Sequence, residues 1–117
     1  MKFVLNILVF VSLFSQVALA ADVEKVISEQ DVAVFAKGEA LYTKHCGACH
    51  AVSNIMVASP KFGDRDEWGT RLTANKDLKG LAKSAFKGKG AMPPKGLCLD
   101  CKTKDLEAAI AYMIRGN

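Results

Sequence analysis

The chain has 117 residues, a length that predicts one domain and no more, and it carries 16 Lys+Arg against 12 Asp+Glu. Apolar residues make up 50% of it, but the first 20 residues inflate that fraction and are set aside before the fold is predicted. The sequence shows no internal repeat and no low-complexity segment.

Residues 1–20 have the pattern of a secretory signal peptide, with a positive Lys2, an apolar run and an Ala-Leu-Ala site at 18–20. The run is shorter than the roughly 20 apolar residues of a membrane span. We therefore expect cleavage after Ala20 and a single domain at 21–117, located in the periplasm, or tethered to the membrane if the leader is retained. The mature chain then has a formal charge of +3, from 15 Lys+Arg and 12 Asp+Glu, and export allows its cysteines to be oxidised.

Four helical stretches punctuated by glycine and proline follow the leader. No segment shows the period-two alternation of a strand, so the sequence predicts an all-α fold. The helices are expected from near Asp31 to about His45, after Asp64, from about Lys76 to Lys87, and from Thr103 to Gly116.

Cap residues and inner faces follow from the same pattern. Asp64 is a plausible N-cap with Glu67 in the capping-box position, and Thr103 is the predicted N-cap of the last helix. The expected inner faces carry Val32, Phe35, Leu41 and Tyr42 in the first helix, and Leu78, Leu81, Ala82, Ala85 and Phe86 in the third.

The most informative segment runs from Cys46 to His50 and reads Cys-Gly-Ala-Cys-His, the signal for covalent attachment of c-type haem. On a helical turn both thiols can reach the vinyl groups along one porphyrin edge, and the next imidazole lies under the iron. The motif, following an export leader, predicts one haem c (iron) per chain, held by Cys46, Cys49 and His50. His45, the second of the two histidines, is expected to be a solvated side chain.

The sixth iron ligand decides between electron transfer and chemistry at an open iron. Met92 lies in a Gly-rich loop followed by two prolines; the glycines allow close approach to the haem and the prolines stiffen the loop. Met92 is therefore the predicted ligand. Met113 is expected in the core, and Met56 follows His50 too closely to reach the other face of the macrocycle. A His/Met pair raises the haem potential relative to harder ligands.

Cys98 and Cys101 form a second Cys-x-x-Cys. The favoured interpretation is a structural disulfide that locks the turn between the Met92 loop and the last helix. It would close only a short loop, so its entropic contribution is small. A catalytic dithiol lacks the surrounding strand–helix pattern. A zinc site using all four cysteines fits poorly with His50 directly after Cys49.

Several motifs together resemble class I c-type cytochromes, and within them the bacterial cytochrome c5 group, over roughly residues 35–115. Gly38 and Tyr42 stand eight and four residues before the first haem cysteine, as in the first helix of that class. The most distinctive match is the segment at 88–96, Gly-Lys-Gly-Ala-Met-Pro-Pro-Lys-Gly, followed by the second cysteine pair. Residues 61–64, Lys-Phe-Gly-Asp, followed by Trp68 and Arg71, resemble the group's middle segment.

The resemblance implies a small class I cytochrome c fold of about four helices around one covalently attached haem. It implies that Gly38 allows the first helix to cross close to the last one, beside Tyr112. It also implies that the carbonyl of Pro60 accepts a hydrogen bond from His50 Nδ1–H, which fixes the ring and tunes its basicity. Leu97 stands where the group often has glycine and adds exposed apolar surface.

Charge is unevenly distributed along the mature chain. Residues 76–95 carry six lysines and one acid, whereas residues 21–39 carry five acids and two lysines. The Lys76 to Lys95 face leads into the Met92 loop, where it could steer an acidic redox partner. A respiratory reductase or a terminal oxidase is the expected kind of partner. Nucleic acid is excluded by export, and no small-molecule substrate is expected.

The sequence thus predicts a soluble monohaem cytochrome that carries one electron at a time between exported or membrane-bound partners, and not an enzyme. A small peroxidase would need an exchangeable sixth site and a distal acid–base group, and His45 is poorly placed for that role. A haem sensor or a subunit of a larger oxidoreductase would have the same haem domain, so this alternative stays open.

Overall fold

The computed structural model describes residues 17–117, so most of the predicted signal peptide lies outside the described part of the chain. Within these residues the fold is all-α, as predicted, and the one strand-like pairing is an isolated bridge between Lys89 and Met92. The elements are α1 (Val32–Leu41), a π-helical segment (Tyr42–Cys46), α2 (Gly47–His50), α3 (Arg65–Ala74), α4 (Leu78–Lys87), a 3-10 turn (Pro94–Leu97) and α5 (Thr103–Arg115).

Three aspartates begin three of the helices. Asp31 accepts from Val34 N at 2.9 Å, Asp64 from Glu67 N at 3.2 Å and Asp77 from Gly80 N at 2.7 Å. Each carboxylate satisfies a backbone donor that has no partner inside its helix. The Asp64 cap was predicted, but no reciprocal bond completes a capping box there, since the Glu67 carboxylate pairs with Arg71 instead.

The start of α5 differs from the prediction by one residue. Thr103 is its first helical residue and Lys102 precedes the helix as its N-cap. Asp105 Oδ2 accepts from Lys102 N at 2.7 Å. The donors that a Thr103 side chain would have served, Asp105 N and Leu106 N, both donate to the Lys102 carbonyl, at 3.0 and 3.2 Å.

The first helix is longer than predicted. It does not end at His45 but continues through the π-helical segment and α2 to His50, and Ala51 then takes an extended conformation. Val32 is 85% exposed, contrary to its expected place on the inner face. It lies in the first turn of α1, before the point at which α1 approaches α5.

The crossing of α1 and α5 organises the core. A Cβ added to Gly38 would lie 2.8 Å from Tyr112 Cβ and closer still to the carbonyl oxygen of Ala108, so only glycine permits this approach. α4 also packs on α5, in which Ala111 and Ile114 are fully buried. The predicted inner face of α4 is buried at Leu78, Leu81 and Ala82, whereas Phe86 is 37% exposed.

A helical segment at residues 17–29 was not among the four predicted helices. Its Val23 and Val26 are 1% and 6% exposed. Two side chains of the segment also bind the α3 region: Glu24 pairs with Arg65, and Asp22 accepts from Thr73 Oγ1 at 3.2 Å. Every helix within residues 17–117 is too short or too polar to cross a membrane.

Candidate haem-attachment site

The Cys-x-x-Cys-His motif occupies the end of the first helical stretch. Cys46 is the last residue of the π-helical segment, and α2 is the single turn that carries Cys49 and His50. Both thiols are free, with Cys46 partly buried and Cys49 exposed. Burial raises the pKa of the Cys46 thiol to about 11, so this side chain is a neutral thiol at pH 7.

His50 is the buried polar residue of the site, at 8% exposure. Its Nδ1 lies 2.7 Å from the carbonyl oxygen of Pro60. A carbonyl oxygen only accepts, so Nδ1 carries the proton and Nε2 presents a lone pair. Desolvation is the largest effect on the pKa of His50 and lowers it, which favours the neutral ring that can ligate a metal.

The proximal loop, residues 51–63, wraps around this turn. Phe62 N donates to the carbonyl of His50 at 2.8 Å, and Lys61 contacts the carbonyl of Cys49. The indole of Trp68 stacks on the His50 ring with centroids 6.0 Å apart, and its Nε1 donates to the carbonyl of Lys61 at 2.9 Å. The loop therefore holds the histidine ring by its nitrogen, and Trp68 of α3 contacts the face of the ring.

The Met92 loop, residues 88–97, returns to the same region. Gly88 begins it at φ 82°, and a Cβ there would lie 2.8 Å from Pro94 N. A Cβ on Gly96 would lie 3.7 Å from Met92 Cε and 4.0 Å from the carbonyl oxygen of His45. The fold thus brings the predicted sixth ligand next to the segment that carries the haem cysteines.

The other methionines lie elsewhere. Met113 is 3% exposed and belongs to the core, and Met56 is 88% exposed on the proximal loop. His45 is partly buried rather than fully solvated. The assignment of His50 and Met92 as the two iron ligands stays a prediction, now supported by where their loops lie.

Cys98 and Cys101 are joined in a disulfide, as favoured from the sequence. Both residues are buried, at 6% and 4% exposure, and the bridge lies directly before α5. Within residues 17–117 no cluster of three or more histidine, cysteine or acidic side chains could hold a metal ion. The pairing of two cysteines removes half of the thiols that a four-cysteine zinc site would need.

The donor set fits haem c. Two unpaired thiols lie one turn apart, where thioether bonds to a porphyrin edge need them, and a buried neutral imidazole follows with Nε2 available. No role for the side chains of Lys61 and Trp68 was predicted. Their signal in the sequence was that both belong to the stretch that resembles the middle segment of the cytochrome c5 group.

Comparison with known proteins identifies the family. The family described as "Cytochrome C oxidase, cbb3-type, subunit III" matches residues 33–113. The chain is 42% identical over 76 residues to a cytochrome c5 of Azotobacter vinelandii, covering 65% of this chain and 89% of that protein. It is 40% identical over 73 residues to a cytochrome c5 of Ectopseudomonas mendocina, covering 62% and 82%.

A more distant match is a cytochrome c-555 of Prosthecochloris aestuarii, 31% identical over 85 residues, covering 68% of this chain and 84% of that protein. No solved structure matches. Cytochrome c5 proteins are electron carriers and not enzymes, and the cytochrome c family implies covalent haem c. With its Cys-x-x-Cys-His turn, its disulfide and its all-α fold, the chain belongs to the cytochrome c5-like class I c-type cytochromes.

Proposed function

We propose that this protein is an exported one-electron carrier. Cys46 and Cys49 would hold haem c through thioether bonds, and His50 Nε2 and the Met92 sulfur would bind its iron. The chemistry that haem c supplies when bound is a reversible one-electron change at iron. The chain's own contribution is to hold the two iron-binding side chains, to keep small molecules from binding the iron in their place, and to present a surface on which a redox partner docks.

The hydrogen bond from His50 Nδ1 to the Pro60 carbonyl carries this proposal. It fixes the tautomer and orients the ring, and a fixed ligand reorganises little when the charge of the site changes. A zinc-bound histidine is held in the same way, but a zinc site needs three or four protein ligands. Within residues 17–117 no cluster of three histidine, cysteine or acidic side chains could hold a metal ion, and Cys98 and Cys101 are paired with each other.

Docking through lysines is the finer part of the proposal. α4 contacts the 3-10 turn of the Met92 loop, and Lys83, Lys87 and Lys89 are exposed along this region. A cluster of positive charge beside the site would steer an acidic surface of a respiratory reductase or a terminal oxidase. The mature protein would be residues 21–117, acting in the periplasm after removal of residues 1–20.

A redox titration of the haem-loaded protein, followed by its absorption spectrum, tests the function. We expect a single one-electron transition, a weak long-wavelength band in the oxidised form that reports sulfur–iron ligation, and no binding of carbon monoxide by the reduced form. Tight binding of carbon monoxide by the wild-type protein would instead support the peroxidase-like alternative.

A second candidate is a subunit of a larger oxidoreductase, which the description of the matching family favours. The two candidates differ in mass in solution. A carrier purifies from its native host as a single chain, whereas a subunit purifies in fixed stoichiometry with other chains. Sedimentation of the native material distinguishes them.

A further inference from the structure

The side-chain ammonium of Lys61 is fully hydrogen-bonded within the proximal loop and to the turn that carries Cys49. Its ammonium donates to the carbonyl oxygens of Val57 and Cys49, at 2.8 and 3.0 Å, and to Ser59 Oγ at 2.9 Å. An ammonium has three donors, so all of them are used. The Ser59 hydroxyl in turn donates to the Cys49 carbonyl at 2.7 Å, which closes the network.

The positive charge of Lys61 has no carboxylate partner within residues 17–117. The four ion pairs of this part of the chain are made by other cations, namely Lys25, Lys37, Arg65 and Arg71. Lys61 is partly buried and bonded to neutral oxygens instead. Its charge is therefore held in place and is not cancelled by a bonded counter-charge.

The backbone of Lys61 links the same loop to the His50 ring. Its carbonyl accepts from Trp68 Nε1, and Trp68 stacks on the ring. The preceding residue, Pro60, accepts from His50 Nδ1. The side chain ties this stretch to Cys49, directly before His50, so one residue joins the attachment turn, the loop and the indole.

We infer that Lys61 is a positioning residue for the His50 ring, and that its positive charge raises the reduction potential of the haem-loaded protein. The inference rests on the proposed function. Reduction adds one negative charge to the site, and a nearby fixed positive charge stabilises the reduced form most where water screens it least.

Lys61→Gln removes the charge and keeps a polar side chain, whereas Lys61→Arg keeps the charge. Lys44→Gln is the matched control, because Lys44 is exposed and lies two residues before Cys46. In equilibrium redox titrations we expect a lower potential for Lys61→Gln at both low and high salt, and a near wild-type value for Lys61→Arg. The control shift should be small and should vanish at high salt. Equal shifts in Lys61→Gln and Lys44→Gln would overturn the electrostatic role.

Ser59→Ala tests whether the hydrogen-bond network of Lys61 positions the His50 ring, and it does so without changing the charge. The variant also keeps this role testable if Lys61→Gln does not fold. It removes one partner of the ammonium. We expect altered paramagnetic NMR shifts of the His50 ring with little change in potential, and unaltered shifts would overturn the positioning role. A wild-type protein without a one-electron transition would refute the proposed function, whereas a normal wild type with unchanged Lys61 variants would refute only this inference.

Discussion

At the residue scale, a few individual contacts fix the positions of the His50 and Met92 side chains. The Pro60 carbonyl selects the tautomer of His50, and glycine at position 96 allows the positive φ of 56° with which the chain turns beside the end of Met92. The indole of Trp68 limits rotation of the His50 ring from its face. These contacts come from the proximal loop and α3 on one side and from the Met92 loop on the other, so the two proposed iron ligands lie on separate parts of the chain.

Met92→Ala should leave the haem covalently attached, because Cys46 and Cys49 are untouched. It should abolish the sulfur–iron band, lower the potential and allow the reduced protein to bind carbon monoxide, since the soft sixth ligand is lost. Absorption spectra with and without carbon monoxide measure this. Met56→Ala is the control, and loss of the band in that variant alone would transfer the ligand role to Met56.

At the scale of secondary-structure elements, the packing of the core depends on the close approach of the backbones of α1 and α5. Gly38 lets α1 lie against Ala108 and Tyr112 of α5, and the rings of Tyr42, Phe62 and Tyr112 fill the space beside this crossing, with centroids 5.1 to 5.5 Å apart. At the N-terminal end of α5, the disulfide between Cys98 and Cys101 fixes the turn that connects the Met92 loop to the helix.

Gly38→Ala should destabilise the protein although alanine is the better helix former. The propensity gain is about 1 kcal/mol, but the added methyl group would meet the Ala108 carbonyl, and overpacking of this kind typically costs about 1–3 kcal/mol or more. We expect a net loss in the free energy of unfolding, measured by denaturant titration. Ala36→Leu, at an exposed position of α1, should be near neutral. A Gly38→Ala protein more stable than wild type would contradict the close crossing.

Replacing Cys98 and Cys101 by alanine should cost about 2 kcal/mol, near the low end of what disulfides contribute, because the ring that they close has only four residues. Replacing both by serine should cost more, because the structure buries both positions and a buried hydroxyl without a partner loses about 1–3 kcal/mol. Denaturant titration and the absorption spectrum check this, with six-coordinate haem expected in both variants. Loss of all electron transfer with haem still six-coordinate would make the pair a redox centre.

The distribution of lysines matters at the scale of the whole molecule. Lys95 belongs to the predicted face, but its ammonium donates to the Leu99 carbonyl at 3.1 Å and lies 4.4 Å from the centre of the Phe86 ring. This lysine anchors the Met92 loop to α4. Exposed apolar side chains flank the same region, with Leu97 at 68% and Leu99 at 79% exposure, so Leu97 adds apolar surface as expected.

Replacing Lys83, Lys87 and Lys89 together by glutamate should slow electron exchange with an acidic partner strongly at low salt. The potential should change little, because these residues are exposed. Stopped-flow rates as a function of ionic strength measure the effect, which should shrink as salt screens the charges. Lys25→Glu is the control for the single variant Lys83→Glu, because both change the net charge by the same amount. Equal decreases in rate for these two variants would show that only net charge matters. An unchanged rate in every variant would favour docking through Leu97 and Leu99.

Local patterns in the sequence determined much of this protein. Helix caps at Asp31 and Asp64, the spacing of Cys46, Cys49 and His50, and the pairing of two nearby cysteines depend on residues within a few positions of one another. Propensity and covalent reach act over that distance, so the all-α class and the attachment turn could be predicted. The apolar spacing of Val23 and Val26 was also present in the sequence, but the leader preceding it concealed the helix at 17–29.

Tertiary structure alone decided the remaining features, because they join residues far apart in the chain. Val32 is exposed because of where α1 crosses α5, and Lys95 is bound locally because α4 places Phe86 beneath it. From the sequence, Lys61 is indistinguishable from a surface lysine. In the structure the proximal loop folds back on α2, and the Lys61 ammonium donates to two carbonyl oxygens and a hydroxyl. The identity of a charged residue thus shows that a charge exists, and only the packing of distant segments determines what that charge contacts.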